Sequence, residues 1–161
     1  MILYHGSTVS VEQPRIIKGA NMLDFGPGFY TTQSDEQAER WTKVKMRRMQ
    51  AELGYVSVYE FDYEDALRQG LVKMFAHADL EWLEFVVSNR RGSALPGDAD
   101  IHIGPVADDT VYAAIQLYEN SVLDAQETIK RLKTEVLRDQ IVFHTEKALA
   151  LCRFIEAKEI R

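Results

Sequence analysis

Alternation of apolar and polar positions predicts the strands of this chain. The clearest case is YVSVYEFD at 55–62, which alternates and is rich in β-forming residues. Shorter apolar segments of the same kind predict a first strand over 1–5 and further strands at 29–31, 71–75, 140–144 and 153–160, with one more at the start of IHIGPVADD, 101–109. Strand-forming segments are therefore spread from one end of the sequence to the other.

Helix-capping residues precede the segments that have helical periodicity. Ser34 with Gln37 three residues later predicts the start of a helix over Asp35–Gln50, which Gly54 would end. A second predicted helix follows Asp79 and ends at Gly92, with Trp82, Phe85, Val86 and Asn89 on one face. Asp108 or Asp109 would start a helix over 110–119, and Asp124 with Glu127 would start one over 125–135. Thr145 would cap a short helix. Because no regular βαβ rhythm appears, the pattern favours an α+β fold.

Length and composition bound the rest of the picture. With 161 residues, the chain is predicted to form one domain, 1–161. The net charge of −6 argues against non-specific attraction to polyanions. One cysteine, Cys152, cannot form an internal disulfide, and no apolar run is long enough to span a membrane. These features predict a cytoplasmic protein with no membrane partner.

The stretch LDFGPGFYTTQSDEQAERW, 23–41, places a glycine-rich turn ahead of a helix, an arrangement that in some proteins binds phosphate. Here the third position of a dinucleotide-binding fingerprint is Thr31, and no lysine follows Gly28 as a P-loop requires. Gly28 also lies six residues before the helix cap, Ser34. The phosphate-cradle interpretation therefore fails, which leaves a tight turn with core aromatics or a turn that shapes a ligand site.

Three segments, in order, resemble the parts of an ADP-ribosyltransferase of the diphtheria-toxin and poly(ADP-ribose) polymerase type. They are LYHGS at 3–7, FGPGFYTT at 25–32 and DQIVFHTEKALALCRF at 139–154. The resemblance implies a split antiparallel sheet with flanking helices and a helical insert, here within 71–138. It also implies that NAD is a substrate and that ADP-ribose is transferred with release of nicotinamide.

The resemblance assigns roles to particular residues. His5 would hydrogen-bond a ribose hydroxyl as a neutral donor, while the backbone of Gly6, with Ser7 beside it, would hold the nicotinamide carboxamide. Gly28 would let the chain pass close to the cofactor, which a Cβ would obstruct. Tyr30 would stack on one face of nicotinamide. Trp41, eleven residues later, would cover the other face.

Gln140 stands where the family's catalytic glutamate begins its strand. An amide can accept a hydrogen bond from a ribose 2′-hydroxyl but carries no charge. The transition state would therefore lose about 1–3 kcal/mol of stabilisation, which slows the reaction roughly 5- to 150-fold. A nearby acid could compensate, and the candidates are Asp139, Glu146, Asp108 and Asp109. Strand alternation places Asp139 on the face opposite Gln140. The alternative is a weak or inactive module that binds NAD, ADP-ribose or a protein.

The sequence is also similar to an uncharacterised bacterial family placed in this superfamily, on segments such as FHTEKAL and GPVADD. That similarity implies the toxin of a toxin–antitoxin pair, with a small antitoxin as partner and a protein, RNA or DNA as ADP-ribose acceptor. The basic run KVKMRR, 43–48, is interpreted as a solvated helix face or as an attraction site for nucleic acid. The histidines show no metal-ligand spacing, so no metal is expected.

Overall fold

Seven strands of the described residues form a single, mostly antiparallel sheet. The computed structural model describes residues 1–16, 24–92, 99–106, 109–133 and 139–161, with the side chains of 109–111 left aside. The sheet order is β4-β5-β6-β2-β1-β3-β7, and the β4–β5 pair is parallel. The strands are β1 (Ile2–Ser7), β2 (Phe29–Thr32), β3 (Gly54–Phe61), β4 (Val72–Met74), β5 (Ile101–Pro105), β6 (Asp139–Phe143) and β7 (Cys152–Ile160).

Six helices of the described residues flank this sheet, and together they make the fold α+β. They are α1 (Asp35–Met49), α2 (Tyr63–Arg68), α3 (Leu80–Arg90), α4 (Asp109–Glu119), α5 (Ala125–Leu132) and α6 (Glu146–Leu149). The predicted caps are confirmed, because the side chains of Ser34, Asp79, Asp124 and Thr145 each accept a backbone N–H three residues on. Each cap satisfies an amide that has no partner within its own helix.

Several predicted boundaries are wrong for local reasons. Strand β1 continues to Ser7 because its last residues keep their register with β3. Helix α1 ends at Met49, with Gln50 as its left-handed C-cap at φ 52°, and Gly54 is instead the first residue of β3. Helix α2, capped by Asp62, was not predicted because its six residues give too short a periodic pattern. Strand β7 begins at Cys152, one residue before the predicted strand over 153–160.

Some predictions fall outside the described residues. Asp108 lies outside them, so its proposed capping role stays a prediction; α4 itself begins at Asp109. The predicted end of the helix after Asp124 also lies outside, since the description stops at 133. Within the described residues, no helix is long and apolar enough to cross a membrane.

Alternate residues of the central strands contribute to two hydrophobic clusters on opposite faces of the sheet. Ile141 and Phe143 belong to the first cluster, with Leu3, Phe29 and Tyr59. Val142, between them on β6, belongs to the second cluster, which α3, α4 and α5 cover with Trp82, Leu83, Val86, Ile115 and Leu132. Burying both faces explains why β6 is apolar at consecutive positions.

Helix α1 packs closely on the second face, above β1 and β3. An added Cβ at Gly6 would lie 2.3 Å from the carbonyl oxygen of Ala38 and 2.6 Å from Oγ1 of Thr42. Both distances are shorter than van der Waals contact allows. Glycine at this position therefore lets α1 approach β1.

Candidate ligand site at the junction of β1 and β2

Strands β1 and β2 are neighbours that pair at only one position, Tyr4 with Thr32. By contrast, β1 keeps register with β3 along its whole length. Beyond the single pair, side chains bind backbone carbonyls at the junction. His5 Nδ1 lies 2.6 Å from the carbonyl oxygen of Tyr30, and the Lys45 ammonium donates to the carbonyl oxygen of Gly6 at 2.6 Å. The two central strands thus separate where the predicted site residues lie.

His5 is neutral at pH 7. Burial, and to a smaller extent the nearby Lys45 charge, lower its pKa from 6.5 to about 4 against the opposing effect of the hydrogen bond to Tyr30. The ring also stacks on Phe29 at a centroid distance of 4.3 Å. A carbonyl only accepts, so Nδ1–H of His5 donates to it and Nε2 of the neutral ring is an acceptor. The prediction of a neutral His5 agrees with this pKa, but its predicted role as a donor to a ligand is wrong.

Tyr30 is tied to the glycine turn by its own hydroxyl group. The hydroxyl donates to the carbonyl oxygen of Gly26 at 2.6 Å and accepts from the backbone N–H of Phe25 at 3.1 Å. Gly26 has φ +77°, a conformation that glycine adopts without strain. Burial raises the pKa of Tyr30 above its usual value, so the phenol stays protonated. The turn therefore fixes the tyrosine ring.

The turn also supplies aromatic residues to the core, as its tight-turn interpretation predicts. Phe25 is buried in the second cluster and Phe29 in the first. Tyr30 remains partly exposed and packs against the second cluster. The stretch thus combines two core aromatics with one that stays accessible.

Three residues of α1 form a stripe across the junction: Gln37, Trp41 and Lys45, spaced four residues apart on one side of the helix. Gln37 accepts a hydrogen bond from the hydroxyl of Thr32 on β2, at 2.8 Å. Lys45, at the other end, contacts Gly6 on β1. Trp41 lies between them and belongs to neither hydrophobic cluster of the described residues. Its partly exposed indole is therefore not a core aromatic.

Gln140 lies in the centre of the sheet, in register with Thr32 on β2 and Gly104 on β5. The residue is only 3% exposed. Its Nε2 is buried and has no hydrogen-bond partner among the described residues. Leaving a buried polar group unpaired costs about 1–3 kcal/mol, so such a group calls for an explanation.

The structure brings some of the predicted site residues to one face and not others. Tyr30 and Gln140 share a face with Thr32, because β2 and β6 pair in register and side chains alternate. Helix α1 lies on the same face. His5 follows Tyr4, the register partner of Thr32, so its side chain points to the opposite face. His5 therefore reaches the junction from the other side of the sheet, and Ser7 is at the end of β1 beyond it.

Two of the candidate compensating acids, Asp139 and Glu146, lie away from Gln140. Asp139 is on the opposite face, as strand alternation predicts, and that is also the face of His5. Partial burial raises the pKa of the Asp139 carboxyl. Glu146 accepts the backbone N–H of Ile16 at 3.1 Å. Asp108 and the side chain of Asp109 lie outside the described residues.

Close packing against β6 requires a glycine at position 28. An added Cβ would lie 2.7 Å from both the carbonyl oxygen of Phe143 and Cγ1 of Val142. At Gly28, as at Gly6, the neighbouring protein thus already occupies the space that a Cβ would need. Close packing of the fold therefore accounts for glycine at both positions, and their predicted roles toward a cofactor stay predictions.

A pair of histidines that the sequence did not connect supports the turn. His144 Nδ1 donates to the carbonyl oxygen of Pro27 at 2.7 Å. Its Nε2 lies 2.9 Å from Nδ1 of His102, which is buried. If both rings are neutral, Nδ1–H of His102 donates to Nε2 of His144, and Nδ1–H of His144 donates to the carbonyl oxygen of Pro27. The two histidines are 42 residues apart in the chain, so only the β5–β6 register reveals the contact.

The basic run at 43–48 divides into two kinds of residue. Lys43, Arg47 and Arg48 are exposed, and Lys43 pairs with Glu39, so these agree with the solvated-face interpretation. Lys45 instead turns inward to Gly6. Across the described part of the chain, no group of three or more His, Cys, Asp or Glu residues could hold a metal ion.

Comparison with known proteins places the chain in a family. Neither the curated proteins nor the solved structures include a match to it. One family model matches residues 1–154, which is nearly the entire chain. The chain therefore belongs to the family described as "Protein of unknown function (DUF3990)".

Proposed function

We propose that the protein is an NAD-dependent mono-ADP-ribosyltransferase with the split-sheet fold of that superfamily, and that it acts as the toxin of a bacterial toxin–antitoxin pair. Its acceptor would be a macromolecule, either protein or nucleic acid. The observation that carries the proposal is Nε2 of the Gln140 amide, which is buried on the same face as Tyr30 and has no partner among the described residues. A ligand hydroxyl at the junction would complete its hydrogen bonds.

Binding would use the separation of β1 and β2. A ligand entering between these strands can contact groups from both faces of the sheet, which explains how His5 and Gln140 could act on one molecule. Tyr30 and Trp41 would hold the nicotinamide ring between them, and stacking adds about 0.5–1.5 kcal/mol per aromatic pair beyond burial. The hydroxyl bonds of Tyr30 orient its ring before the ligand arrives.

The chemistry is cleavage of the bond between nicotinamide and C1′ of its ribose. Nicotinamide leaves with the bonding electron pair, and positive charge develops on the ribose. A nucleophile of the acceptor then attacks C1′ and loses its proton. Nε2 of His5 would accept a hydrogen bond from a ribose hydroxyl, and the Nε2–H group of Gln140 would donate one to the 2′-hydroxyl oxygen. The acceptor nitrogen of His5 presents the negative end of a fixed dipole to the developing positive charge, which stabilises that charge without reorganisation.

The test is nicotinamide release from NAD by the purified protein, with and without bacterial lysate or nucleic acid as acceptor. We expect the wild-type protein to release nicotinamide, and we expect Tyr30→Ala and His5→Ala each to reduce the rate of release by at least tenfold. His77→Ala is the matched control, because His77 is an exposed histidine remote from the junction in the chain. Stoichiometric NAD binding without turnover under any acceptor would overturn the catalytic proposal.

Substitution of Gln140 by glutamate gives a second prediction. A carboxylate at this position would stabilise the developing cation, so NAD hydrolysis should rise. Because the site is 3% exposed, burial will raise the pKa of the new carboxyl, and the gain should therefore increase with pH. The measurement is hydrolysis rate against pH for Gln140→Glu and wild type. An unchanged rate at every pH, in a folded variant that binds NAD, contradicts the assigned role.

A non-catalytic module for NAD or ADP-ribose is the second candidate. The neutral side chain of Gln140 favours it, because an amide supplies no negative charge at the position from which a carboxylate would stabilise the developing cation. The position of Lys45 also favours it, since the ammonium group bonds the Gly6 carbonyl that would otherwise receive the nicotinamide carboxamide. Such a module would bind ADP-ribose at least as tightly as NAD and would release no nicotinamide.

A further inference from the structure

Lys45 is set apart from the other basic residues of α1 by its environment. Its side chain is half-buried, and it points toward β1 instead of solvent. Its ammonium group donates to one neutral acceptor, the Gly6 carbonyl oxygen, at 2.6 Å. Among the described residues, no carboxylate lies within ion-pair distance of it.

The acidic residues on the same helix are already paired with other bases. Asp35 pairs with Lys158, Glu36 with Arg40, and Glu39 with Lys43. His5, whose pKa the Lys45 charge lowers, is neutral and supplies no negative charge. Burial lowers the pKa of Lys45, which shows that its charge is poorly solvated. A buried charge without a counter-ion is costly, and an anion that reaches it gains a charge-assisted hydrogen bond.

We propose that Lys45 is the anion-binding residue of the site and that it takes the pyrophosphate of a dinucleotide or of ADP-ribose. The choice of a pyrophosphate ligand rests on the proposed function, whereas the anion site follows from the contacts of Lys45. On binding, the ammonium leaves the Gly6 carbonyl and bonds a phosphate oxygen. The released carbonyl can then accept an N–H of the nicotinamide carboxamide, so the two events are coupled.

This coupling assigns Lys45 a role in discrimination between ligands. A ligand with phosphate groups draws the ammonium away and opens the Gly6 carbonyl. Nicotinamide alone cannot do this, and it must compete with Lys45 for that carbonyl. Free nicotinamide should therefore bind weakly to the wild-type protein and no less tightly when the ammonium is removed.

The experiment is calorimetric titration of the full chain with ADP-ribose, inorganic pyrophosphate and nicotinamide, for wild type, Lys45→Met, Lys45→Arg and Lys43→Met. Lys43→Met is the matched control, because Lys43 is two residues away but exposed and paired with Glu39. We expect Lys45→Met to weaken ADP-ribose and pyrophosphate by roughly 10- to 100-fold, since hydrogen bonds to charged groups contribute this much. Lys45→Arg should recover most of the loss, nicotinamide should not weaken, and Lys43→Met should match wild type.

The outcomes separate the two proposals. If wild type binds pyrophosphate and Lys45→Met does not, but ADP-ribose fails to bind and no nicotinamide is released from NAD, the anion site stands and the proposed function fails. If Lys45→Met, with an unchanged melting temperature, binds ADP-ribose as wild type does, the role of Lys45 is overturned while the function stands. Absence of both pyrophosphate and ADP-ribose binding by wild type also overturns it.

Discussion

Replacing Gly6 by alanine is expected to destabilise the protein by about 3 kcal/mol or more. The added Cβ would lie 2.3 Å from the Ala38 carbonyl oxygen and 2.6 Å from Thr42 Oγ1. The nearest atom belongs to the backbone of α1, so a side-chain rotation cannot relieve the contact, and the helix must move off β1. Overpacking of this kind costs typically 1–3 kcal/mol and occasionally more. Thermal unfolding should show a melting temperature lower by roughly 6–12 °C.

Gly70→Ala provides the matched control for this substitution. Gly70 has φ +68°, and nothing lies within 4 Å of an added Cβ. The Gly70→Ala variant is therefore destabilised only by placing an alanine in a left-handed backbone conformation, which costs about 1–2 kcal/mol. Gly6 is not one of the glycines with positive φ, so the destabilisation expected for Gly6→Ala is steric. If the two variants melted at the same temperature, close packing of α1 on β1 would not be what requires Gly6.

Acidification is expected to destabilise the fold through His5, by about 2–3 kcal/mol between pH 7 and pH 4.5. The folded-state pKa of His5 is about 4, below the ordinary value of 6.5. In this window the unfolded chain therefore binds a proton that the folded protein does not, and stability falls as the pH falls. A difference of one pKa unit corresponds to about 1.4 kcal/mol, which sets the size of the effect.

The measurement is urea unfolding of wild type and His5→Asn at several pH values. Asparagine can keep the donor to the Tyr30 carbonyl but does not titrate. The difference in stability between the two proteins should therefore change by about 2–3 kcal/mol between pH 7 and 4.5. His77→Asn, at an exposed histidine, should show a much smaller change. A constant difference between wild type and His5→Asn would show that His5 is protonated normally in the folded state.

Local features of the fold were predictable from the sequence because their causes are local. The cap at Ser34 depends on an amide three residues away, and so does the cap at Asp124. The turn at Gly26 and the alternation in β3 are equally short-range. Strand pairing was different: nothing in the sequence brings β2 beside β6, 110 residues later at the Thr31–Ile141 pair.

The site was predictable as a set of residues but not as an arrangement. Tyr30, Trp41 and Gln140 were identified, yet their common face follows from strand register and the position of α1. The opposite orientation of His5 has the same origin. Lys45 looked like one member of a basic run, and only the packing of α1 on Gly6 turns its side chain inward. Residue type indicated the chemistry, and long-range contacts determined the geometry.

The pairing of β2 with β6 and of β3 with β7 has a consequence for synthesis of the protein. A chain leaving the ribosome can join β1 to β3 early, because both strands lie within the first 61 residues. One edge of β2 and one edge of β3 then stay open until residues 139–160 emerge. Contacts this distant in sequence slow folding and expose strand edges. The nascent protein therefore carries an incomplete sheet, and without Gln140 an incomplete site, for most of its translation.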